Sequence, residues 1–233
     1  MALALDKKID GLIISPINSS TAATLLEIAK INNIPVVIAD IGSNSKDYVS
    51  FISSDNKKGA YELGKILAKH MKNLSWNKEG TVGIISIPQK RTNGKDRTFG
   101  FIQALDEESI KVSGFYQQVD FSYEETYNYS KKLIEENKNL RAIWLQGSDK
   151  YKGALDAIKK ANKQNEIALI CFDAEPEFLE MIQNGDLVAS AMQQPYMMGQ
   201  EAVISLNNFL NNKYVEKEQK MGILAISKDN IDD

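Results

Sequence analysis

The sequence contains few of the residue types that metal sites and catalytic sites need. Among 233 residues there is one cysteine, Cys171, and one histidine, His70. A metal site built from Cys and His is therefore excluded, and no internal disulfide can form. The motifs G-x-G-x-x-G and G-x-S-x-G do not occur, and the P-loop motif G-x-x-x-x-G-K-[ST] is incomplete, because residues 59–65 (GAYELGK) are followed by Ile66. A nucleotide phosphate cradle and a nucleophile elbow therefore have no support. We expect no catalysis, no cofactor and no metal ion.

Clustered basic charge and long apolar runs are also absent. The formal net charge is -3, and lysines occur at most in pairs, so the basic footprint that a nucleic acid requires is missing. Apolar runs such as residues 12–14 are far too short to cross a bilayer. The first five residues are apolar, but no basic flank precedes them and no cleavage site follows, so we expect no secretion signal in this chain. Cys171 lies inside the apolar run 167–172 and is expected to be a small buried hydrophobe.

Short apolar runs alternate with longer segments of helical periodicity. The predicted strands are 12–15, 35–39, 49–52, 81–87, 112–115, 142–145, 167–172, 187–192 and 222–226. The predicted helices are one from Ser19 or Ser20 to Asn32, and then 56–71, 96–105, 123–136, 150–161, 176–183 and 196–210. Strands joined by helices predict parallel pairing, because a parallel partner needs a long crossover. The pattern predicts an α/β fold with two parallel sheets.

Polar residues follow the predicted strands directly, at the edge where open parallel sheets bind ligands. They include carboxylates, amides and a nearby guanidinium, and Phe121, Phe172 and Tyr196 could supply flat apolar walls. A sugar requires this mixture, since its hydroxyls need donors and acceptors and its C–H groups need an apolar face. The polar residues in question are Asp40, 54–56, 89–93, Arg97, Asp120, 146–149, Asp173 and 193–194.

Several segments, taken in order, resemble the type I periplasmic binding proteins of the ribose- and galactose-binding kind and the effector domains of LacI-type repressors. These segments are 10–16 (DGLIISP), 33–37 (NIPVV), 54–59 (SDNKKG), 97–101 (RTFGF), 153–158 (GALDAI), 172–176 (FDAEP), 182–185 (IQNG) and 193–199 (QQPYMMG). No single motif is specific, but the ordered set extends along most of the chain. The final 224–230 (LAISKDN) looks more like transport-type binding proteins than repressors.

The resemblance implies two doubly wound parallel-sheet lobes joined by a three-strand hinge, closing over the ligand. The lobes would be 1–54 plus 194–220 and 55–193 plus 221–233, with Ser54 and Asp55 in the hinge. It also implies that Asp40 and Asp173 accept ligand hydroxyls, that Arg97 donates two parallel hydrogen bonds and that Gln193 contacts the ligand at the hinge. Phe121 matches a position that stacks on the sugar ring.

The sequence departs from the family pattern in three places. By comparison with the family, about 50 residues, or two β–α units, are absent before residue 10, so the N-terminal lobe is expected to be incomplete. Gly147 stands where sugar-binding relatives use Asn, and Ile41 follows Asp40 where ribose-binding relatives carry Arg. The pentose-binding pattern is therefore broken.

Each candidate residue has a plain structural alternative. Asp173 is a potential cap for the following helix, and Arg97 a potential exposed helix residue with a weak surface ion pair. The alternative for Asp40 is a loop carboxylate without a ligand. The alternative for Gln193 is a hinge residue that hydrogen-bonds only to backbone, and the alternative for Phe121 is a residue packed in the core.

The sequence predicts a protein that binds a small polar ligand, a sugar or polyol, as the solute-binding protein of an ABC transporter or the sensor domain of a receptor. Its partners would be that ligand and an ABC permease or membrane receptor, with no nucleic acid, in the periplasm or another extracytoplasmic compartment. The alternative is the effector domain of a LacI-type regulator without its DNA-binding head. An enzyme on a doubly wound fold is a third possibility, for which the sequence offers no nucleophile.

Overall fold

The computed structural model describes residues 6–232, so the apolar N-terminal stretch considered above lies outside the described residues. Helices and strands alternate as predicted. The strands are β1 (Leu12–Ile14), β2 (Val36–Ala39), β3 (Ser50–Ser54), β4 (Thr81–Ser86), β5 (Lys111–Gln117), β6 (Leu140–Leu145), β7 (Ala168–Phe172), β8 (Ala189–Met192), β9 (Glu218–Met221) and β10 (Leu224–Ser227). The helices are α1 (Ser19–Ile31), α2 (Asn56–Asn73), α3 (Thr92–Glu107), α4 (Tyr123–Glu136), α5 (Tyr151–Lys160), α6 (Phe178–Asn184) and α7 (Pro195–Leu210). None of the helices described is long and apolar enough to span a membrane.

The chain divides into two compact units. The first unit comprises the chain up to Asp55, together with Lys90–Asn93 and Gln193–Gly222. The second unit comprises Asn56–Gln89, Gly94–Met192 and the chain from Ile223 onward. Each unit contains one sheet, and the two are described separately.

The sheet of the first unit has the strand order β1-β2-β3-β9, and its pairs are all parallel. The last of these strands, β9, was not predicted from the sequence. Its residues Glu218 to Met221 are mostly charged or polar and alternate between exposed and half-buried, so they lack the apolar run that marks a buried strand. At the other edge lies β1, where Ile13 is 37% exposed.

The sheet of the second unit has the order β10-β8-β7-β6-β4-β5. Every pair from β8 to β5 is parallel, which confirms the predicted α/β class. The prediction of uniformly parallel pairing is wrong for β10, which pairs antiparallel to β8. This strand follows β9 of the first unit without an intervening helix, so no crossover returns the chain to the parallel direction.

Helices α2 and α3 pack very closely in the core of the second unit. The ring of Phe101 on α3 stacks on Trp144 of β6 with 3.8 Å between centroids, and both side chains are fully buried. The backbones approach so closely that a Cβ on Gly100 would lie 2.0 Å from the Lys57 carbonyl oxygen. Only glycine fits at this contact, which fixes how α3 crosses α2.

Replacing Gly100 with alanine is therefore expected to destabilise the protein by about 1–3 kcal/mol or more, because the new methyl group meets rigid backbone. Urea unfolding measures this loss. The matched control is Gly199→Ala, on an exposed position of α7 where a Cβ meets nothing within 4 Å. That change should stabilise by about 0.5–1 kcal/mol. Equal effects of the two substitutions would contradict the close approach of α2 and α3.

Cys171 lies in the middle of the second sheet and is completely buried, as the sequence predicted. Burial raises the pKa of its thiol well above the ordinary value, and the carboxylates of Asp173 and Glu175 add to the rise. The reactive thiolate is therefore disfavoured at neutral pH.

We expect no labelling of the native protein by a thiol-reactive disulfide at pH 8, and one labelled thiol per chain in denaturant. The labelling rate should follow unfolding of the second unit rather than thiol ionisation. Rapid labelling of the native protein at pH 8 would show that β7 is accessible.

Candidate functional site

Two aspartates lie directly after a strand and share the same backbone conformation. Asp40 follows β2 and Asp173 follows β7, with left-handed φ values of 71° and 68°. Each donates its backbone N–H to the neighbouring strand, Asp40 to the Ile52 carbonyl and Asp173 to the Ala191 carbonyl, both at 2.9 Å. Non-glycine residues seldom adopt this backbone region, and Asp is one of the few that tolerate it. Each unit therefore places a carboxylate directly at the carboxyl end of a parallel sheet.

Arg97 of α3 is held from several sides at the same edge of the second sheet. Its Nε donates to Asn56 Oδ1 at 2.8 Å, and its Nη1 donates to the Gln146 carbonyl at 2.5 Å and to Asp173 Oδ2 at 3.4 Å. The guanidinium also lies over the Phe172 ring, 3.8 Å from the centroid. These contacts fix the plane of the guanidinium before any ligand arrives.

Burial makes the Arg97–Asp173 pair an unusual one. Arg97 is 3% exposed, whereas the side chain of Asp173 is 34% exposed. A buried cation is costly unless a counter-charge and acceptors surround it. Asp173 supplies the counter-charge and presents its carboxylate to solvent as well. The alternative reading of Arg97 as an exposed helix residue is wrong.

Gln146 joins this cluster to the ends of two further strands. It follows β6 directly and is fully buried. Its Oε1 accepts from the Ile87 N–H and from Gln89 Nε2, both at 3.3 Å, and its Nε2 donates to Thr98 Oγ1 at 2.6 Å. Thr98 in turn donates to Gln89 Oε1 at 2.9 Å. The carboxyl ends of β4 and β6 are thus connected to α3 through one amide.

Phe121 lies in a loop whose shape is fixed by a carboxylate. Glu125 accepts the consecutive backbone N–H groups of Val119, Asp120 and Phe121 at 2.7–3.1 Å. The Ser122 hydroxyl accepts from the Glu125 N–H at 3.1 Å and caps α4. Phe121 itself is half-buried with φ 53°, a position that only a well-determined loop maintains.

The residues predicted to be in the hinge lie where the chain leaves the first unit. Ser54 ends β3 and is 4% exposed, and its hydroxyl donates to Gln193 Oε1 at 2.7 Å. Asp55 donates its backbone N–H to the Met221 carbonyl at 2.9 Å. Gln193 is therefore engaged through its side chain, rather than through backbone alone. Three chain segments that pass from one unit to the other are thereby tied together within the first unit.

The structure brings Arg97 and Asp173 together, and it separately brings Ser54 and Gln193 together. Asp40 belongs to the first unit and Phe121 to the second. The sequence reasoning did not identify Asn56 and Gln146 as the acceptors that hold Arg97. Their only sequence signal was a position within two residues of the end of a strand. The ligand-contacting roles of Asp40, Arg97, Phe121, Asp173 and Gln193 stay predictions.

The second unit has another concavity at the opposite, amino edge of its sheet. It has a volume of about 220 Å³ and is walled largely by apolar residues, among them Trp76 and Val188. Of its polar residues, Lys159, Gln164, Asn165 and Asp186 are exposed and His70 is half-buried. Arg97 and Gln146 at the carboxyl edge are buried and each is held by several polar partners, which is why the carboxyl edge is the candidate site.

Comparison with known proteins agrees with this architecture. Residues 2–213 match the family model of the periplasmic binding protein domain. The chain belongs to this family, which consists of substrate-binding proteins, and the predicted resemblance is confirmed.

Among its relatives is the ribose import binding protein of Haemophilus influenzae, 27% identical over 219 residues, which are 93% of this chain and 72% of that protein. The D-ribose/D-allose-binding protein of Pseudomonas aeruginosa is 28% identical over 192 residues, 79% of this chain and 58% of that protein. The HTH-type transcriptional repressor PurR of Escherichia coli matches at 24% over 176 residues, 74% of this chain and 49% of the repressor.

Solved structures show the same fold. A carbohydrate transporter solute-binding protein from Agrobacterium radiobacter, in complex with D-arabinose, superposes with a TM-score of 0.88 at 23% identity, covering 100% of this chain and 79% of that one. An ABC transporter solute-binding protein from Actinobacillus succinogenes with bound D-allose superposes with a TM-score of 0.87 at 20% identity. The match covers 99% of this chain and 82% of that chain.

The contribution of the buried Gln146 amide to stability can be tested by replacing it with an apolar side chain of similar size. Gln146→Met should destabilise the protein by about 1–3 kcal/mol, because the Ile87 N–H and the Thr98 hydroxyl each lose a buried partner. Urea unfolding measures the change. The control is Gln164→Met, an exposed position expected to stay within about 0.5 kcal/mol. A neutral Gln146→Met would mean that this amide does not hold the cluster together.

Proposed function

We propose that this protein binds a sugar at the carboxyl edge of its second sheet and acts as the solute-binding protein of an ABC transporter. The observation that carries the proposal is the preorganised pair of a buried Arg97 and a partly exposed Asp173, 3.4 Å apart. The names of the relatives support it, since ribose and D-ribose/D-allose binding proteins are among them.

The chemistry of the pair suits a polyhydroxylated ligand. Each sugar hydroxyl is both a donor and an acceptor, and a carboxylate accepts from two neighbouring hydroxyls at once. Hydrogen bonds to charged groups are about twice as strong as those between neutral groups. Arg97 fixes the orientation of the Asp173 carboxylate, and Phe121 provides an apolar face for the C–H groups of the sugar. Asp40 and Gln193 are the proposed ligand contacts of the first unit.

The alternative, an effector domain of a LacI-type regulator, is less well supported. The repressor PurR matches less of this chain, at lower identity, than the ribose import binding protein does. We further propose that the chain is not an enzyme, that it works outside the cytoplasm and that an ABC permease is its partner. These proposals rest on the family, whose members bind substrates.

Sugar binding is tested by thermal shift and titration calorimetry. The panel contains D-ribose, D-allose, D-xylose, D-glucose, L-arabinose and D-galactose, with adenosine as a probe for regulator-type ligands. A ligand that binds only the folded protein raises its melting temperature by mass action. We expect at least one sugar to do so and adenosine not to.

The site is tested with Asp173→Asn and Arg97→Lys, each expected to weaken binding of that sugar about tenfold or more, because a charge-assisted hydrogen bond or the planar fork is lost. The matched control is Asp186→Asn, an exposed carboxylate at the amino edge of the same sheet, which should leave the affinity unchanged. A shift with adenosine alone would favour the regulator. Binding that is indifferent to both site substitutions would place the ligand elsewhere.

A further inference from the structure

The loop between β5 and α4 has little buried surface to hold it in place. The last backbone hydrogen bond of this segment to β4 comes from Gln118, whose N–H donates to the Ser86 carbonyl at 2.8 Å. Beyond it, Val119 is 71% exposed and Asp120 is exposed as well. Phe121 is half-buried and has a left-handed φ of 53°, which is unfavourable for a bulky side chain. Such a segment needs a source of order other than packing.

The carboxylate of Glu125 supplies that order. Its Oε1 accepts the Val119 N–H at 2.7 Å, and its Oε2 accepts the N–H groups of Asp120 and Phe121 at 3.1 and 2.9 Å. Three consecutive backbone donors therefore meet one charged acceptor, and hydrogen bonds of this kind are about twice as strong as neutral ones. Glu125 lies in the first turn of α4, where the helix dipole also favours a negative charge.

These contacts differ from those of a helix cap. In a capping box, the third residue of the helix accepts the N–H of the N-cap residue, and the N-cap residue of α4 is Ser122. The side chain of Glu125 instead reaches the three residues that precede Ser122. It is therefore committed to the loop 119–121 and to the backbone conformation of Phe121.

We propose that Glu125 is a positioning residue for ligand binding, and that its carboxylate holds the loop 119–121 in the conformation in which Phe121 lies against the sugar. This inference rests on the proposed function, in which Phe121 provides the apolar face. A loop that is ordered before the ligand arrives loses less conformational freedom on binding, so the affinity is higher. Without the Glu125 carboxylate the loop must be ordered anew by each ligand.

The first test needs no ligand. Hydrogen exchange of the ligand-free full chain, measured by NMR, follows the backbone amides of residues 119–121. Glu125→Ala should accelerate their exchange about tenfold or more, because the amides lose their acceptor. The matched control is Glu124→Ala, since Glu124 is an exposed carboxylate in the same first turn of α4. Its removal takes away the same charge and leaves the three hydrogen bonds in place. Unchanged exchange in Glu125→Ala, or equal acceleration in both variants, would overturn the inference.

The second test is the affinity, measured by calorimetry for the sugar that gives the largest thermal shift. Phe121→Ala should weaken binding about tenfold or more, as expected for truncation of a central aromatic contact. Glu125→Ala should weaken it about fivefold to tenfold, because the loop must then be ordered on binding. Glu125→Gln keeps one oxygen that can accept from two of the three N–H groups, so its loss should be about threefold. Glu124→Ala should leave the affinity unchanged.

A double-mutant cycle separates positioning from a general effect on folding. If Glu125 acts through Phe121, Glu125→Ala should weaken binding less than about twofold further in the Phe121→Ala background. A merely structural role would lower the melting temperature and leave the affinity, measured well below the melting transition, unchanged in either background. If Glu125→Ala does not fold, Glu125→Gln replaces it in the cycle.

The outcomes distinguish the inference from the proposed function. Losses that multiply in the double variant, or an affinity indifferent to Glu125→Ala or to Phe121→Ala, would overturn the inference and leave sugar binding intact. No binding by any sugar of the panel would overturn the proposed function, and the inference with it.

Discussion

The guanidinium of Arg97 is a charge inside the protein, and the second unit is arranged around the need to neutralise it. Desolvating such a cation is costly unless acceptors and a counter-charge surround it. The acceptors come from Asn56 at the start of α2, Gln146 after β6 and Asp173 after β7. Because β6 and β7 are parallel and end at one edge, the second sheet brings Gln146 and Asp173 together without a long loop, and the start of α2 supplies Asn56. The close crossing of α2 and α3 at Gly100 then sets the depth at which Arg97 enters.

Much of the fold follows from local sequence signals. The predicted helix 123–136 agrees with α4 at both ends, and the Ser122 hydroxyl caps its start by accepting the Glu125 N–H. Helix α3 begins at Thr92, four residues before the predicted start at residue 96, since no comparable capping signal precedes it. The strand β9 was not predicted because its charged residues are held in a strand by pairing with β3. Neither the hydrophobic periodicity nor the composition of a segment indicates such a tertiary contact.

The candidate site was predictable only in part, for a related reason. Position after a strand identifies which side chains lie at the carboxyl edge of a sheet, and this sufficed to place Asp40 and Asp173 there. It does not tell whether such a side chain faces solvent or another residue. Gln146 and Asn56 face Arg97, and that depends on how α2 and α3 cross. The burial of Arg97, at 3% exposure, was likewise invisible in a helix whose neighbouring residues are mixed in polarity.

The same cluster constrains which positions of the second unit can change. The groups around Arg97 and Gln146 are bonded largely to one another, so their orientations are fixed in the folded protein. Such a network cannot easily be altered without destabilising the unit, since each change leaves a buried polar group without its partner. Positions at the margin of the network, by contrast, can vary in side-chain size at a small cost in folding stability. Gly147 is such a position, because its neighbours would accept a side chain and its backbone does not demand glycine.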